Sequence, residues 1–428
     1  MIPSCISLLL LLLAGVAGAA DVDIAGMDSP YREPGRFIAV FDPSASDSEV
    51  QTCRQNMMAK MRKRSLENNQ TEGVHQYFAV DKFRAMACET DAQTAAEMKQ
   101  EFGPVSWVEA VMSASMPESE QDLANAKAIE PRTVDDDEEQ DDAKAIKSLT
   151  NRQVNSRQGE GVTIYMLDTG CNNHVVFTGR ARRAANLVRG ENAIDGSGHG
   201  THTAGSAAGD GTGTAPRADI ACIKILDSSG KGSTAEIIGG FQFVMNDAIS
   251  TGRAGKCVVN MSVSSPRSQA VNQAADALSS MCAICAAAGN EATDARGSSP
   301  ASASKAITVG ATNSSSGQLA SFSNFGNSVD FSLPGVNVLS ADFKNADKLV
   351  PLSGTSMACP QAAGLCAAAI SDSPTGTCAQ CSDFCLQTLQ ARAASEPPLP
   401  VVPPGTTPLE INTAQQVPIA SRAGPRRQ

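Results

Sequence analysis

The sequence predicts an α/β protein whose larger part is a mostly parallel sheet covered by helices on both faces, preceded by a small α+β domain. Three observations predict this fold. Near-continuous apolar strands alternate with helical stretches after residue 150, shorter strands and amphipathic helices alternate before residue 116, and an acidic run separates the two parts. Strands that are apolar along their whole length are typical of parallel sheets buried on both faces.

The first twenty residues have the pattern of a secretory signal peptide. A Leu-rich run from Leu8 to Leu13 is followed by small residues through Ala20, as in the apolar core and cleavage site of such a segment. The run is too short to span a bilayer comfortably, and no Lys or Arg precedes it. We expect residues 1–19 to be a signal peptide, and the product to be secreted to the extracellular space without a membrane anchor.

Residues 20–116 are expected to form the small domain. Apolar runs predict strands over Phe37–Phe41, Tyr77–Met86 and Val105–Val111, and helical periodicity predicts helices over Asp47–Arg64 and Asp91–Phe102. A β-α-β-β-α-β order of this kind is typical of a split βαβ sandwich. The segment carries no cluster of catalytic residue types.

Residues 117–150 break the composition of the chain. An acidic block runs from Asp135 to Asp142, and like charges at this density repel one another and stay solvated. We expect a linker, and two interpretations remain open: a stretch exposed to proteolysis, or a plain spacer. A second such segment is the Pro-rich C-terminal tail, residues 396–428.

Residues 151–395 are expected to form the larger domain. Strands are predicted over Val162–Leu167, Ile220–Leu226, Val258–Ser262 and Ala306–Gly310, with helical stretches between them. Asp168 follows the first of these strands at its carboxyl end. Open α/β sheets carry their sites at that edge.

Bulk composition excludes some functions. The chain has 428 residues, 42% hydrophobic residues and a net charge of −11, so a soluble protein is expected and no basic surplus is available to bind nucleic acid. We expect a monomer with no nucleic-acid or membrane partner.

The thirteen cysteines are an odd total. Six lie in apolar or Ala-rich runs and are interpreted as small core residues: Cys222, Cys257, Cys282, Cys285, Cys359 and Cys366. For Cys378, Cys381 and Cys385, bridging is favoured over zinc because no fourth ligand lies nearby. Disulfides are permitted in a secreted protein, and their connectivity is left open.

Three short segments each set one reactive group among small residues: Asp168 in Leu-Asp-Thr-Gly, His199 in Gly-His-Gly-Thr-His, and Ser356 in Gly-Thr-Ser-Met-Ala. A serine hydroxyl is a poor nucleophile until a base removes its proton, and an imidazole base needs a carboxylate to hold its tautomer. These residue types in this combination therefore predict a nucleophilic serine site. The chain order Asp, His, Ser is one of the orders in which this triad occurs.

Each assignment has a plainer alternative. Ser356 precedes a helical run, where a developing oxyanion is stabilised, but an isolated Ser at that place is commonly an N-cap. His199 is favoured over His202 as the base; a metal pair of the two would lack a third ligand, and His202 is expected to be structural. Asn290 offers an amide donor for an oxyanion hole, although an Asn after Gly is usually a turn residue.

These segments, with Ser321–Gly326 and Leu333-Pro334-Gly335, resemble the subtilisin-like serine proteases. Asp294-Ala295-Arg296 and Ser299–Ser302 are most similar to the proteinase K branch. The resemblance covers about residues 150–395; residues 36–112 resemble, more weakly, the family's inhibitory propeptide. It implies a subtilisin-like three-layer fold preceded by a ferredoxin-like prodomain, in an endopeptidase made as a zymogen that removes its own propeptide.

The resemblance also implies roles for single residues. Ser356 would attack the scissile carbonyl, His199 would carry the proton, Asp168 would orient His199, and Asn290 with the Ser356 N–H would bind the oxyanion. Protein or peptide substrate would lie as a strand between Ser262–Ser264 and Lys231–Ser233. The implied substrate-binding set is Ser262, Val263, Ser264, Gly232, Ala288 and Gly289.

The chain departs from the family where it has Val263-Ser264-Ser265 in place of Leu-Gly-Gly. Ser264 adds a hydroxymethyl group at the mouth of the primary pocket, so we expect a preference for small or medium P1 side chains. Thr234 stands where the proteinase K branch tends to carry an aromatic residue of the S4 site, so an apolar P4 side chain should matter less.

No cofactor is expected for the chemistry. The resemblance implies a structural calcium held by the Asp330 carboxylate and the carbonyls of Ser304 and Ala306. Carbonyls fit any residue type, so only Asp330 carries sequence information, and the alternative is a loop Asp bonded to its own turn.

Two classes of function are compared. The leading hypothesis is a secreted serine endopeptidase with its own propeptide as intramolecular inhibitor. The alternative is a catalytically silent pseudoprotease that acts as a secreted binding module; only the altered Ser264-Ser265 edge favours it. An esterase with the same triad is disfavoured because the nucleophile lacks the G-x-S-x-G elbow.

Overall fold

The structure is a computed structural model that describes residues 24–68, 73–116, 132–133 and 157–395. The predicted signal peptide, the C-terminal tail and all of the acidic linker except residues 132–133 lie outside the described residues.

The N-terminal domain is a four-stranded antiparallel sheet with two helices on one face. Its elements are β1 Arg32–Phe41, α1 Asp47–Asn68, β2 Gly73–Val80, β3 Phe83–Glu89, α2 Ala92–Glu101 and β4 Val105–Ser115. The strand order β2-β3-β1-β4 is that of the expected split βαβ sandwich. Asp91 caps α2 by accepting the Thr94 N–H at 2.8 Å, which explains why this helix starts where it does.

One predicted strand of this domain was wrong. Tyr77–Met86 was expected to be continuous, but it contains the hairpin between β2 and β3, with Asp81 and Lys82 in the turn and Asp81 at a φ of +49°. Asp tolerates this left-handed conformation, and the two-residue turn is short enough that the apolar pattern runs through it.

The C-terminal domain follows in chain order. Its first strands and helices are β5 Arg132–Thr133, β6 Thr163–Asp168, β7 Ala181–Asn186, α3 His199–Ala208, β8 Asp219–Lys224, β9 Lys231–Ser233, α4 Thr234–Ser250, β10 Cys257–Met261, β11 Ser265–Pro266 and α5 Gln269–Leu278. The remaining ones are β12 Ala283–Ala287, β13 Ser298–Ser299, β14 Ile307–Asn313, β15 Gln318–Leu319, β16 Phe331–Pro334, β17 Val338–Ala341, β18 Lys348–Leu352, α6 Thr355–Asp372 and α7 Cys381–Ser395.

The main sheet has the order β15-β14-β12-β10-β6-β8-β7, with β16 beside β14. All pairs are parallel except the β14–β15 hairpin. Every residue of β6, β10 and β12 is buried, which explains their unbroken apolar sequences. The expected three-layer α/β fold is confirmed.

Helices cover both faces of the main sheet. On one face α3 and α6 pack against each other and against apolar sheet residues such as Ile164 and Met166. On the other face α4 and α5 share a core with Tyr165 and Leu167 and with Ile38 and Phe78 of the N-terminal domain. The helices α4 and α5 therefore lie between the two sheets, and one apolar core joins the domains.

Three disulfides connect Cys171 with Cys222, Cys257 with Cys282, and Cys378 with Cys381. Cys222, Cys257 and Cys282 are buried core residues, as expected, and each of them also forms a disulfide, whose pairing the sequence had left open. Cys285, Cys359 and Cys366 are buried, as expected for core residues, and neither they nor the buried Cys385 form a disulfide.

Within the described residues, no helix combines the length and the apolar character that crossing a membrane requires.

Candidate active site

The carboxylate of Asp168 and the imidazole of His199 form a buried pair. Asp168 is the last residue of β6 and is fully buried, and its Oδ1 lies 2.8 Å from His199 Nδ1. The Thr169 N–H and the Thr203 hydroxyl also donate to this carboxylate, at 2.7 and 3.2 Å. A proton on Nδ1 that is shared with Asp168 leaves Nε2 as the basic nitrogen of the ring.

Gly200 allows this pair to form. A Cβ at this position would stand 2.0 Å from the Gly170 carbonyl oxygen and 3.1 Å from Asp168 Oδ1. The first turn of α3 can therefore approach the loop after β6 only if residue 200 has no side chain.

Asp195 is a supporting residue that the sequence analysis did not single out. It is buried, and its carboxylate accepts the N–H groups of Ser197, Gly198 and Thr201 at 2.8–3.0 Å and the hydroxyls of Thr169 and Thr201 at 2.8 and 2.6 Å. These bonds satisfy the open N-terminus of α3, which begins at His199. An Asp shortly before a helix start was the available signal.

Ser356 is the second residue of α6, one residue after the helix begins at Thr355. Gly354, not Ser356, is the N-cap, so the N-cap alternative for Ser356 was wrong. Its hydroxyl donates to the Ser262 carbonyl at 3.2 Å, and the Ser262 hydroxyl donates to the Ser356 carbonyl at 2.8 Å. Because α3 and α6 pack together, His199 and Ser356 both lie at the N-terminal ends of neighbouring helices.

Asn290 lies beside the N-terminus of α6. Its Oδ1 accepts the N–H and the hydroxyl of Thr355, both at 2.9 Å. Its Nδ2 lies 3.1 Å from the place that a side chain on Gly354 would occupy. The acceptor end of the amide is therefore held by Thr355, and the donor end faces the backbone that precedes Ser356.

The segments expected to bind substrate hold a strand of the N-terminal domain. The end of β4 pairs antiparallel with β9, with Ala114 opposite Gly232. On its other side Ser115 exchanges two backbone hydrogen bonds with Ser264, both at 2.9 Å. The Met116 N–H donates to the Gly230 carbonyl at 3.2 Å.

The other predicted substrate-binding residues are Val263, beside Ser264, and Ala288 and Gly289, directly before Asn290. Val263 is fully buried next to Ser264. The Ala288 N–H donates to the Val309 carbonyl at 2.9 Å, and the Gly289 N–H donates to the Thr355 hydroxyl at 3.1 Å. These contacts tie the segment before Asn290 to β14 and to α6.

Glu109 of β4 caps a helix of the C-terminal domain. Its carboxylate accepts the hydroxyl of Ser268 and the N–H groups of Gln269 and Ala270, the latter two at 3.1 and 3.3 Å. The residue is 2% exposed, and desolvation raises its pKa to about 7 even though these hydrogen bonds act in the opposite direction. Interdomain contact therefore buries a carboxylate at the N-terminus of α5.

His202 has the structural place that was expected. It is buried one turn after His199, and its Nε2 lies 2.9 Å from the Val338 carbonyl and 3.0 Å from the Val350 carbonyl. Burial lowers its pKa to about 4, so the ring is neutral at ordinary pH. Among the described residues, no three His, Cys, Asp or Glu side chains are grouped to hold a metal ion.

Of the predicted calcium ligands, Ser304 and Ala306 precede β14 in the sequence, and Asp330 bonds to the second residue of that strand. Asp330 Oδ2 accepts the Thr308 N–H at 2.9 Å. This carboxylate therefore lies beside the start of β14, the strand that begins directly after Ala306. The hydroxyl and the N–H of Ser304 both donate to Asp276, which leaves its carbonyl out of those bonds. An oxygen ligand set of this composition fits Ca²⁺, and the calcium itself stays a prediction.

Comparison with known proteins identifies the family. The sequence model of the subtilase family, peptidase family S8, matches residues 159–412. This span covers Asp168, His199, Asn290 and Ser356. The chain belongs to the subtilase family. As a subtilase it is a serine-type endopeptidase by class, and the resemblance to subtilisin-like proteases of the proteinase K branch is confirmed.

Fungal subtilases are among the most similar relatives. The subtilisin-like serine protease Pen c 1 of Penicillium citrinum is 35% identical over 78% of this chain and 81% of its own length. Proteinase T of Parengyodontium album is 45% identical over 48% of this chain and 70% of its own length. Subtilisin-like protease 3 of Pseudogymnoascus destructans is 43% identical over 54% of this chain, and the match spans 57% of that relative.

A solved structure agrees with this membership. A cold-adapted subtilisin-like serine proteinase superposes with a TM-score of 0.50 at 35% identity and covers 55% of this chain and 83% of its own. The share of this chain that it covers is close to the size of the C-terminal subtilase domain.

Proposed function

We propose that this subtilase is secreted as a zymogen and hydrolyses peptide bonds of proteins with Ser356 as nucleophile. The observation that carries the proposal is the buried 2.8 Å pair of Asp168 and His199 at the N-terminus of a helix that packs against the helix of Ser356. Membership of a protease family makes this the expected chemistry of such a constellation.

In the first step His199 Nε2 takes the proton of Ser356 as the hydroxyl oxygen attacks the scissile carbonyl. The Ser356 hydroxyl turns for this step from the Ser262 carbonyl toward the imidazole; catalytic hydrogen bonds commonly form only with substrate in place. His199 then delivers the proton to the leaving amine. Water repeats the sequence on the acyl-enzyme and releases Ser356.

Asn290 and the backbone N–H of Ser356 stabilise the negative oxygen of the tetrahedral intermediate. Ser356 lies in the first turn of α6, where N–H groups have no intrahelical acceptor and the helix dipole favours negative charge. One side-chain donor in such a hole contributes about 3 to 4 kcal/mol to lowering the barrier.

The N-terminal domain acts as an intramolecular inhibitor. The support is the pairing of Ala114 with Gly232 and of Ser115 with Ser264, which leaves no room in the groove for a substrate strand. Backbone hydrogen bonds along both sides are the way in which a peptide adds to sheet edges. Removal of this strand is then the condition for activity.

The maturation cut is proposed to fall beyond residue 117, within the acidic linker. Antiparallel partners run in opposite directions, so a strand that kept the register of Ser115 and Ser264 would bring residue 117 opposite Ser262. Residue 117 is a proline, which lies outside the described residues. Proline has no N–H to donate and has a fixed φ near −65°, so the bond after it is a poor substrate, and a bond within the acidic linker sequence is proposed instead.

The pseudoprotease alternative is not favoured. Each of the four proposed catalytic groups is present, and similar relatives carry the name of protease. No cofactor takes part in the proposed chemistry. A monomer and a structural calcium at Asp330 remain predictions of the same proposal.

To test this proposal, the full chain is expressed for secretion. The N-terminus of the secreted product is sequenced, and the product is labelled with an active-site-directed fluorophosphonate. The native chain should be labelled and should start within the linker or shortly after it. Ser356→Ala should lose the label and retain the N-terminal domain. Unchanged labelling and processing in Ser356→Ala would overturn the mechanism.

A matched control is Ser371→Ala in the same helix. Ser371 is 1% exposed and its hydroxyl donates to the Ala368 carbonyl at 2.9 Å, so this variant removes a buried serine hydroxyl far along α6 from Ser356. It should label and mature as the native chain does. An N-terminus directly after residue 117 would contradict the position proposed for the cut.

A further inference from the structure

The loop that carries Asn290 is held by one buried side chain to which no catalytic role has been assigned above. Residues 288–293 follow β12 without regular secondary structure, so the position of Asn290 depends on side chains that bond to this loop. Asn324 is 0% exposed. All of its side-chain hydrogen bonds in the described structure go to this loop.

The bonds of Asn324 reach both sides of Asn290. Before it, Asn324 Nδ2 donates to the Ala288 carbonyl and the Asn324 N–H donates to the Gly289 carbonyl, both at 2.9 Å. After it, Asn324 Oδ1 accepts the N–H groups of Glu291 and Thr293 at 3.0 and 2.9 Å. Nδ2 also donates to Glu291 Oε2 at 2.7 Å.

Gly289 brings the two segments into direct contact. It has a φ of +104°, and a Cβ there would stand 2.3 Å from Asn324 Nδ2. The amide of Asn324 therefore occupies the space beside the residue that immediately precedes Asn290. A side chain at 289 would displace Asn324 and strain the backbone at once.

Two separate sets of hydrogen bonds thus hold Asn290 in place. Thr355 holds the side-chain amide through Oδ1, whereas Asn324 holds the backbone on either side. Groups that act on a developing charge lose much of their effect when they are misplaced by about 1 Å, because a displacement of that size can cost on the order of 100-fold in rate. A buried amide with four satisfied loop bonds is the kind of support that fixes such a position.

We propose that Asn324 is a positioning residue for the reaction and acts through Asn290. This inference rests on the proposed function, in which Asn290 donates to the oxyanion. It assigns a role in catalysis to the Ser-Asn-Phe-Gly segment, which the sequence analysis used only as a family signature.

The experiment measures kcat and KM on a peptide substrate for Asn324→Ala, Asn290→Ala and the double variant, each matured from the full chain and referred to folded protein. Asn290→Ala should lower kcat by about 100- to 1,000-fold. Asn324→Ala should lower kcat by at least about tenfold with KM changed less than about twofold, because the transition state and not the ground state is affected. The double variant should match Asn290→Ala alone.

Asn272→Ala is the matched control for loss of a buried amide. Asn272 is 8% exposed and bonds to Ser302 and Ser299. Both Ala variants should lower the Tm, but only Asn324→Ala should lower kcat. If Asn324→Ala does not accumulate, Asn324→Asp combined with Glu291→Gln retains the two bonds accepted by Oδ1 from the N–H groups of residues 291 and 293 without placing two carboxylates together. This combined variant should also lower kcat, with the same dependence on Asn290.

The outcomes separate the two levels of the argument. The role of Asn324 would be overturned if the kcat losses of the two single variants multiplied in the double variant, or if Asn272→Ala lost as much kcat as Asn324→Ala. Either result would leave the role of Asn290 intact. An unchanged kcat in Asn290→Ala would overturn the oxyanion assignment and, with it, the role of Asn324.

Discussion

At the scale of single residues, Val263-Ser264-Ser265 at the edge of the groove is where we expect a difference from the usual subtilisin-like pattern to matter. The backbone of Ser264 pairs with the strand that fills the groove, so its side chain lies next to whatever peptide binds there. Ser265, the second departure, is buried, and its hydroxyl donates to the Pro266 carbonyl at 3.0 Å. Of these two serines, Ser264 is therefore the one that we expect to affect the P1 preference.

Ser264→Gly should broaden the P1 preference. The sequence analysis predicts that Ser264 lies at the mouth of the primary pocket, so removing its hydroxymethyl group should widen that pocket. A change of this size in a pocket is worth about 10- to 200-fold in discrimination. We expect kcat/KM for a Phe P1 substrate to rise at least about tenfold relative to an Ala P1 substrate. The measurement compares two peptides that differ only at P1.

Ser315→Gly is the control, since Ser315 is exposed in the turn between β14 and β15; its Phe/Ala ratio should equal that of the native enzyme. A native enzyme that already prefers large aromatic P1 residues would refute the narrowed pocket.

At the scale of elements, the loop after β6 is tied to the sheet by the Cys171–Cys222 disulfide. Cys171 follows the Asp168-Thr169-Gly170 turn, and Cys222 lies within β8 beside β6. The bridge closes a loop with a sequence separation of 51 residues. Loop-entropy arguments give such a crosslink about 4 kcal/mol of stability.

Cys171→Ala combined with Cys222→Ala should lower the Tm by on the order of 10 °C, as expected for a loss of about 4 kcal/mol in a domain of this size. The matched control is Cys285→Ala with Cys366→Ala. These two buried thiols lie 3.8 Å apart in hydrogen-bond contact but form no disulfide, so their replacement removes similar volume but no covalent crosslink. A Tm loss no larger than that of the control would contradict a stabilising bridge.

The disulfides also show what a sequence can and cannot predict. The strands β6, β10 and β12 were predictable because burial on both faces demands an apolar residue at nearly every position. The pairing of Cys171 with Cys222 depends on which strands are neighbours, and sequence spacing does not contain that information. The β2–β3 turn was missed because its two polar residues, Asp81 and Lys82, barely interrupt the apolar pattern of the two strands.

The candidate site shows the same difference between residues that a sequence pattern indicates and residues whose role depends on the fold. Asp168, His199, Asn290 and Ser356 could be proposed from the sequence because reactive residue types stand among glycines and small residues. Asn324 and Asp195 were not singled out, since their roles arise from hydrogen bonds to loops that only the fold brings close.

At the scale of the whole molecule, the docking of the two domains should depend on pH through Glu109. Its pKa is about 7 when docked, whereas a solvated Glu has an ordinary pKa near 4.5. Between about pH 4.5 and pH 7, docking is therefore accompanied by uptake of a proton by Glu109. The contribution of Glu109 is fully present below about pH 4.5, declines as pH rises and is lost above about pH 7.

Glu109→Gln should remove this dependence. Gln retains a carbonyl acceptor for the N-terminus of α5 but does not titrate, so docking should no longer weaken between about pH 5 and pH 7. With Glu109 present, the docking free energy should fall by up to about 1.4 kcal/mol for each pH unit in that range. Trp107 is the only tryptophan and lies in β4, so its fluorescence reports on this domain during denaturant unfolding.

The comparison is made in the full-length Ser356→Ala background, in which the proposed mechanism leaves the two domains joined. The denaturant midpoint of the Trp107 signal should decrease from about pH 5 to about pH 7 when Glu109 is present, and it should change much less in the Glu109→Gln variant. Parallel pH profiles for the two proteins would show that Glu109 is not the titrating group. A midpoint that increased with pH only when Glu109 is present would contradict the expected direction of the pH dependence. It would mean that burial against α5 stabilises the carboxylate form of Glu109.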